Sequence, residues 1–131
     1  MVQNLNESLG FVRLREPSRP NFTAVEYLAT PAMCHSGGIV QGGFVTGWID
    51  AAMAHAVIAA TAYRQWPLSL EIKISFLKSA APGLVIAEGW IEKMGRSTAF
   101  LEGRLLAADG EVLARGSSTV KLVTIESTTD G

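Results

Sequence analysis

The chain has 131 residues and a formal net charge of −1, with 48% hydrophobic and 18% charged residues. This composition fits one globular domain, and it excludes the disordered class and the strongly basic class that binds nucleic acids or acidic membranes. Cys34 is the only cysteine, so no disulfide can form within the chain. The first residues lack a basic stretch followed by an apolar core, so we expect no signal peptide and a cytoplasmic protein.

The chain begins with a polar stretch, residues 1–10, which predicts a loosely ordered arm or a short helix. Strands are predicted at 11–14 and 22–29, on either side of a turn whose prolines disfavour helix. Residues 30–40 show no periodicity and contain glycines, which indicates a loop.

An almost uninterrupted apolar segment follows from about Gly42 to Tyr63, and Pro67 prevents its extension as a helix. Apolar residues on nearly all faces are typical of a helix that is surrounded by protein. The segment is nearly long enough to cross a bilayer, but its alanines add little insertion energy and the central Asp50 is costly there. We therefore expect the buried helix of a soluble domain and no membrane partner.

The C-terminal half predicts four strands. Residues 68–76 alternate between apolar and polar side chains, which predicts a half-buried strand with Ser69 opposite the apolar face. Three further strands, separated by the turn signals Gly95-Arg96 and Asp109-Gly110, are predicted at 84–94, 97–107 and 111–123.

Four strands joined in this way favour an antiparallel meander that curves around the single long helix. The predicted fold class is therefore α+β, with residues 1–131 forming one domain. Residues 124–131 are polar and predict a frayed tail.

The predicted helix starts at Gln41-Gly42-Gly43. The first turn of a helix leaves N–H groups without intrahelical partners and carries a partial positive charge. Glycine there lets a ligand oxygen approach the backbone closely, so the start of the helix is a candidate site for an oxyanion. The alternative is a glycine turn that only permits tight packing.

Asp50 lies two turns into the same helix among small and apolar neighbours. A carboxylate in such surroundings is costly unless it is paired or used, and desolvation should raise its pKa towards that of a general base. The alternative is a structural Asp that bonds a backbone N–H or a buried Arg. His55 is rotated by about 140° from Asp50 along a helix, which favours a packing or interface role. Two histidines and one cysteine without regular spacing predict no metal site.

The segment from His35 to Met53 resembles the helix-entry motif of hotdog-fold acyl-CoA thioesterases, especially the PaaI-like branch of phenylacetic acid degradation. That motif is Asn, two residues, Gly, two residues, His-Gly-Gly, and an acid nine positions after the His. The match has no gaps: Gly38 is the first glycine, Gly42 and Gly43 are the pair, and Asp50 is the acid. Two positions differ, because His35 replaces the Asn and Gln41 replaces the His.

The resemblance implies a hotdog fold, an antiparallel sheet wrapped around a long central helix. It also implies that the Gly42 N–H and the residue at position 35 polarise the thioester carbonyl. Asp50 of the facing subunit would activate water or attack directly, and Ser69 would orient the water. The expected assembly is therefore a homodimer or a homotetramer with sites at the subunit interface.

The implied substrate is an acyl-CoA, and coenzyme A enters as part of that substrate, with no other cofactor. Gln41, Gly43, Arg96 and Lys93 are candidate substrate contacts, the two cations for the phosphates of coenzyme A. We expect an acyl pocket supplied by the apolar helix face together with Trp48, Met53 or Phe76.

Two alternatives remain open from the sequence. Hydratases and dehydratases of the same fold use an acid with a histidine, and Asp50 with His55 has the five-residue spacing of one such group, although there the pair lies on a loop. The other alternative is a protein that binds acyl-CoA without turning it over. Release of thiol, compared with addition of water to an enoyl thioester, distinguishes the two enzymes.

Overall fold

The computed structural model describes residues 4–125. Two α-helices and six strands follow one another along the chain, with a short 3₁₀ helix, Pro31–Met33, before the second helix. The helices are α1 (Leu5–Leu9) and α2 (Gly42–Ala60), and the strands are β1 (Phe11–Leu14), β2 (Phe22–Ala29), β3 (Gln65–Phe76), β4 (Gly83–Met94), β5 (Thr98–Ala107) and β6 (Val112–Thr124).

The six strands form one antiparallel sheet in the order β1-β2-β4-β5-β6-β3, and α2 packs across one face of it. This architecture confirms the predicted α+β class and the hotdog fold. The two hairpin turns at Gly95-Arg96 and Asp109-Gly110 make β4, β5 and β6 neighbours, as predicted.

The prediction of a four-strand meander is wrong for β3. This strand pairs with β6 at the edge of the sheet, while β4 pairs with β2. A two-residue turn would have forced β3 and β4 together, but the connection at 77–82 is long enough to cross to the other side of the sheet. The edge position also explains why β3 starts at Gln65 and tolerates Pro67, since an edge strand need not donate every N–H to a ladder.

The sheet side of α2 forms the core. Five residues on this side are almost completely buried: Val45, Trp48, Ile49, Ala52 and Met53. Ala56 and Val57, one turn further on, are buried as well. The opposite side of α2 is only partly covered within the chain, so the expectation of a helix enclosed on all sides is wrong for the single chain.

The helix approaches the sheet most closely at Gly89, where a Cβ atom would lie 2.5 Å from the Ala52 carbonyl carbon and the Met53 nitrogen. Only glycine allows this contact. By length and composition α2 could cross a bilayer, yet it is the core helix of this sheet, as in soluble proteins of the fold.

Of the two predictions for the N-terminal segment, a loosely ordered arm or a short helix, the structure shows the short helix α1. Asn4 caps α1 by accepting a hydrogen bond from the Glu7 N–H, and Leu9 is buried. The Trp48 Nε1–H donates to the Leu9 carbonyl oxygen over 2.7 Å, which fastens α1 to α2. At the other end, Thr124 is still part of β6, and the remainder of the predicted tail beyond residue 125 lies outside the described residues, as do residues 1–3.

Candidate active site

Gln41 is the N-cap of α2. Its backbone is extended, and its side-chain Oε1 accepts a hydrogen bond from the Gly43 N–H over 3.0 Å. The cap thereby satisfies one of the free N–H groups of the first turn. Gln41, which replaces the His of the family motif, therefore stabilises the start of α2 through its hydrogen bond with Gly43.

The Gly42 N–H is the neighbouring donor, and no hydrogen bond within residues 4–125 uses it. Gly42 lines a pocket of about 380 Å³ together with His35, Phe76 and Ala80. The Phe76 ring lies so close that a Cβ on Gly42 would be 3.2 Å from its Cζ atom. This pocket therefore offers a donor at the positive end of a helix beside an aromatic wall.

His35 lies in the same pocket, as the motif implied. Its Nδ1 is 3.0 Å from the Ser36 hydroxyl, and the loop that carries it closes through a hydrogen bond from the His35 N–H to the Ile39 carbonyl. The side chain is exposed, so it is free to move towards a ligand in the pocket.

Asp50 lies on the side of α2 that faces away from the centre of the sheet. Partial burial raises the pKa of its carboxyl above the ordinary value, and a hydrogen bond from Ser69 opposes that rise. The Ser69 hydroxyl donates to Asp50 Oδ1 over 3.4 Å. The acid is thus accessible, and its raised pKa makes the carboxylate a stronger proton acceptor than an ordinary Asp.

Ser69 reaches Asp50 because β3 contains a bulge. Ser69 is opposite Val120, Glu71 is opposite Thr119, and Leu70 is the extra residue between them. A bulge changes which face the following side chains occupy. The expectation that Ser69 lies opposite the apolar face is therefore wrong: Ser69 and Ile72 share the helix-facing side, and Leu68 points away from it.

A second pocket, of about 370 Å³, contains Asp50 and is mostly apolar. We call it the Asp50 pocket. Its walls are α1, the outer side of α2 and Trp66 at the start of β3, and its lining includes Leu5, Leu9, Ala54 and Ile58. His55 also lines this pocket. The rotation of about 140° between Asp50 and His55 along α2 therefore does not prevent the two side chains from lining the same pocket.

The sequence did not indicate which residues line the apolar pocket beside Asp50. The expected acyl-pocket residues Trp48 and Met53 are 0% and 1% exposed and belong to the core, so that expectation is wrong for both. Trp66 and Leu5, which are 48% and 69% exposed, line the Asp50 pocket instead. Nothing local in the sequence marks them, because their positions depend on how α1 and the edge strand pack.

Arg96 and Lys93 lie far from Gly42 within the chain. Both are exposed, at the end of the sheet where the turn before β5 meets β6 through the Leu122 N–H and the Ser97 carbonyl. That end carries the C-terminus of α2, whereas Gly42 lies at the other end. The structure therefore does not bring these cations to the Gly42 pocket of the same chain.

Gly42 and Asp50 are also separated within one chain. Eight residues of α-helix span about 12 Å along the axis, at about 1.5 Å per residue. The two groups line different pockets, and neither of these two pockets contains both residues. A single small group of reacting atoms cannot touch both of them in one chain.

The match to known proteins decides the family. The family model of the thioesterase superfamily matches residues 37–114, which include the helix-entry motif from Gly38 onwards, α2 and the strands β3, β4 and β5. The chain belongs to the thioesterase superfamily. No curated protein matches it in sequence.

Solved structures extend this result to the PaaI-like type of hotdog thioesterase. A phenylacetic acid degradation-related protein of Ralstonia eutropha has 28% identity and a TM-score of 0.82, with 92% of this chain and 91% of that chain covered. The Escherichia coli PaaI protein, from the phenylacetic acid degradation operon, has 17% identity and a TM-score of 0.78, with 88% and 86% covered. The second likeness shows the fold alone. The resemblance to PaaI-like hotdog thioesterases that the sequence indicated is confirmed.

Proposed function

We propose that this thioesterase-superfamily member hydrolyses acyl-CoA thioesters in the cytoplasm as a homodimer or homotetramer. One observation carries the proposal: the Asp50 carboxylate is partly desolvated, accepts a hydrogen bond from the Ser69 hydroxyl and lines a mostly apolar pocket. A base of raised pKa next to an apolar cavity suits the attack of water on the carbonyl of an apolar acyl group.

The separation of Gly42 and Asp50 along α2 supports the sharing of each site between two copies. If a second copy lies antiparallel against the half-covered side of α2, Asp50 of one chain meets the start of α2 of the other. Exposed apolar residues along the free edge favour such a contact, because Ile72, Phe76 and Leu77 are 36%, 57% and 57% exposed. An unpaired edge strand also offers backbone groups for pairing between copies.

The chemistry then divides between the subunits. Asp50 removes a proton from water as the water oxygen attacks the thioester carbon, or the carboxylate attacks that carbon itself and water later hydrolyses the mixed anhydride that forms on Asp50. The carbonyl oxygen becomes negative and accepts a hydrogen bond from the partner subunit's Gly42, with the partner's His35 as a second donor. The C–S bond breaks, the thiolate takes up a proton, and the products are a carboxylate and free coenzyme A.

Typical magnitudes allow this division of work. An oxyanion donor contributes about 2.7 to 4 kcal/mol to transition-state stabilisation. A general base contributes a factor of about 10² to 10⁴ in rate. Loss of the Asp50 carboxylate should therefore remove most of the activity, whichever of its two roles applies.

A second candidate is addition of water to an enoyl-CoA. It is favoured by one observation, the presence of His55 and Asp50 in the same pocket, since hydratases of this fold pair an acid with a histidine. Hydration produces no free thiol and consumes the conjugated double bond, so the two activities have different optical signals.

The experiment is a thiol-release screen over short, long and aromatic acyl-CoAs, with crotonyl-CoA followed in parallel for loss of the double bond. Asp50→Ala serves as the inactive comparison. We expect thiol release by the natural protein and little release by the variant. Equal rates for the two proteins would remove Asp50 from the mechanism, and loss of the crotonyl double bond without thiol would favour the hydratase.

A further inference from the structure

The lining of the Asp50 pocket includes a polar side chain that lies five residues beyond Asp50 on α2. Its lining is apolar over most of its surface, from Leu5 and Leu9 on one side and Ala54 and Ile58 on another. If the acyl group of the substrate extends from the carbonyl beside Asp50, this pocket receives it. This role of the pocket rests on the proposed thioesterase function.

The polar side chain beyond Asp50 is that of His55. The ring is half-buried, and burial lowers its pKa, so the imidazole is neutral at pH 7 and carries one N–H donor and one nitrogen acceptor. Within residues 4–125 no hydrogen bond involves either ring nitrogen. Among the described residues only the Tyr27 hydroxyl is fully buried without a partner, so the His55 ring still meets solvent. A ligand that displaces this solvent must supply an oxygen to replace the lost hydrogen bond.

The spacing along α2 places this group at a defined distance from the reaction. His55 follows Asp50 by five residues, which corresponds to about 7.5 Å along the helix axis. A ligand oxygen that meets the imidazole therefore lies several atoms away from the thioester carbon. The intervening wall is formed by Ala51 and Ala54, which offer only apolar contact.

We infer that His55 is a specificity-determining residue that forms a hydrogen bond with an oxygen near the far end of an otherwise apolar acyl group. The substrate class is then an acyl-CoA of medium length that carries a terminal or near-terminal hydroxyl or carbonyl group. An acyl group with a methyl in that place displaces water from the imidazole without replacing its hydrogen bond, and it is the poorer substrate.

The test compares octanoyl-CoA with its terminally hydroxylated counterpart. The natural protein should hydrolyse the hydroxylated thioester with a kcat/KM roughly three- to tenfold higher, which is the size of one neutral hydrogen bond. His55→Leu should abolish or reverse this preference. His55→Gln, which keeps a neutral donor and acceptor, should restore part of it. Ile58→Val is the matched control, because it changes the apolar wall and should affect both substrates by the same factor.

Binding is measured separately with ketone analogues in which a methylene group replaces the thioester sulfur. Titration calorimetry should show the same preference for the hydroxylated analogue and its loss in His55→Leu. A natural protein that hydrolyses neither thioester but retains this preference in binding contradicts the proposed hydrolysis and leaves the role of His55 supported.

The inference is overturned if the natural protein treats the two acyl groups alike in both assays. It is also overturned if His55→Leu retains the preference. A change only in the oligomeric state of that variant, seen by light scattering with the preference intact, would assign His55 to packing between subunits instead.

Discussion

The hydroxyl of Ser69 donates a hydrogen bond to Asp50 Oδ1. Uninterrupted alternation along β3 would instead place the Ser69 side chain on the face of the sheet that points away from α2. The bulge at Leu70 makes the contact possible. Because that hydrogen bond stabilises the charged form, it lowers the pKa of Asp50 against the rise caused by burial.

Ser69→Ala should shift the pH dependence of thioester hydrolysis. Removal of the hydroxyl raises the pKa of Asp50, and since the carboxylate is the active form, the acidic limb of the kcat profile moves to higher pH. Activity falls most below neutral pH and recovers in alkaline buffer. Ser75→Ala, an exposed serine on the same strand, is the control and should leave the profile unchanged. An acidic limb that stays in place would separate Ser69 from the titration of Asp50.

Asp50→Asn should reduce kcat by a factor of about 10² to 10⁴ and at the same time make the chain more stable at neutral pH. The sign follows from burial: the folded state raises the pKa of Asp50, so its favourable contribution is present below the unfolded pKa and is lost as the pH rises through the folded pKa. At pH 7 the ionised carboxylate therefore costs stability, and the amide removes that cost.

Thermal unfolding at several pH values measures this effect. The Tm difference between Asp50→Asn and the natural protein should be positive at pH 7 and should shrink in acid, where both side chains are neutral. A variant that is less stable at pH 7 would show that the carboxylate is held by partners that outweigh its desolvation.

Gln41→Ala should weaken the start of α2. The variant loses the acceptor for the Gly43 N–H, and loss of an N-cap side chain costs about 0.5 to 2 kcal/mol in the free energy of unfolding. Denaturant unfolding measures the cost. Gln41→Asn, which keeps a capping amide, should lose less, and equal losses in both variants would mean that the Gln41 hydrogen bond does not hold the helix in solution.

The sequence predicted those parts of the fold that depend on local patterns. The strand at 22–29 and the helix start at Gly42 agree with the structure to the residue, because turn residues bound the former and glycines follow an extended Gln41 at the latter. The hairpins around β5 were predictable for the same reason. The family motif implied that Gly42 and His35 contact the same carbonyl, and the structure places both residues in one pocket.

Long-range relationships were not predictable in this way. Apolar residues at 68, 70, 72, 74 and 76 continue the alternation across the bulge, so nothing in the pattern reveals that Leu68 and Ile72 lie on opposite faces. The pairing of β3 with β6 depends on the path of a connection, and the placement of α1 depends on one tertiary hydrogen bond between Trp48 and Leu9. The Asp50 pocket depends on the last two of these features, because α1 and Trp66 of β3 form its walls.

The sharing of each site between two chains is open to a complementation test. Asp50→Asn removes the base, and Gly42→Val places a branched side chain against the Phe76 ring and blocks the pocket at the helix start. Each homo-oligomer should be inactive. In a mixed dimer, however, the partner subunit's Gly42 from one parent and Asp50 from the other form one complete site, while the second site carries both changes.

Unfolding and refolding the two variants together should therefore restore up to about a quarter of the natural activity, since half of the dimers formed at random are mixed and each has one of its two sites intact. Refolding each variant alone is the control for recovery of folded protein. If light scattering shows that mixed dimers form but the mixture stays as inactive as its components, Gly42 and Asp50 do not act on the same thioester across the interface. Within one chain the two groups lie about 12 Å apart along the helix, so a shared site requires that arrangement of two subunits.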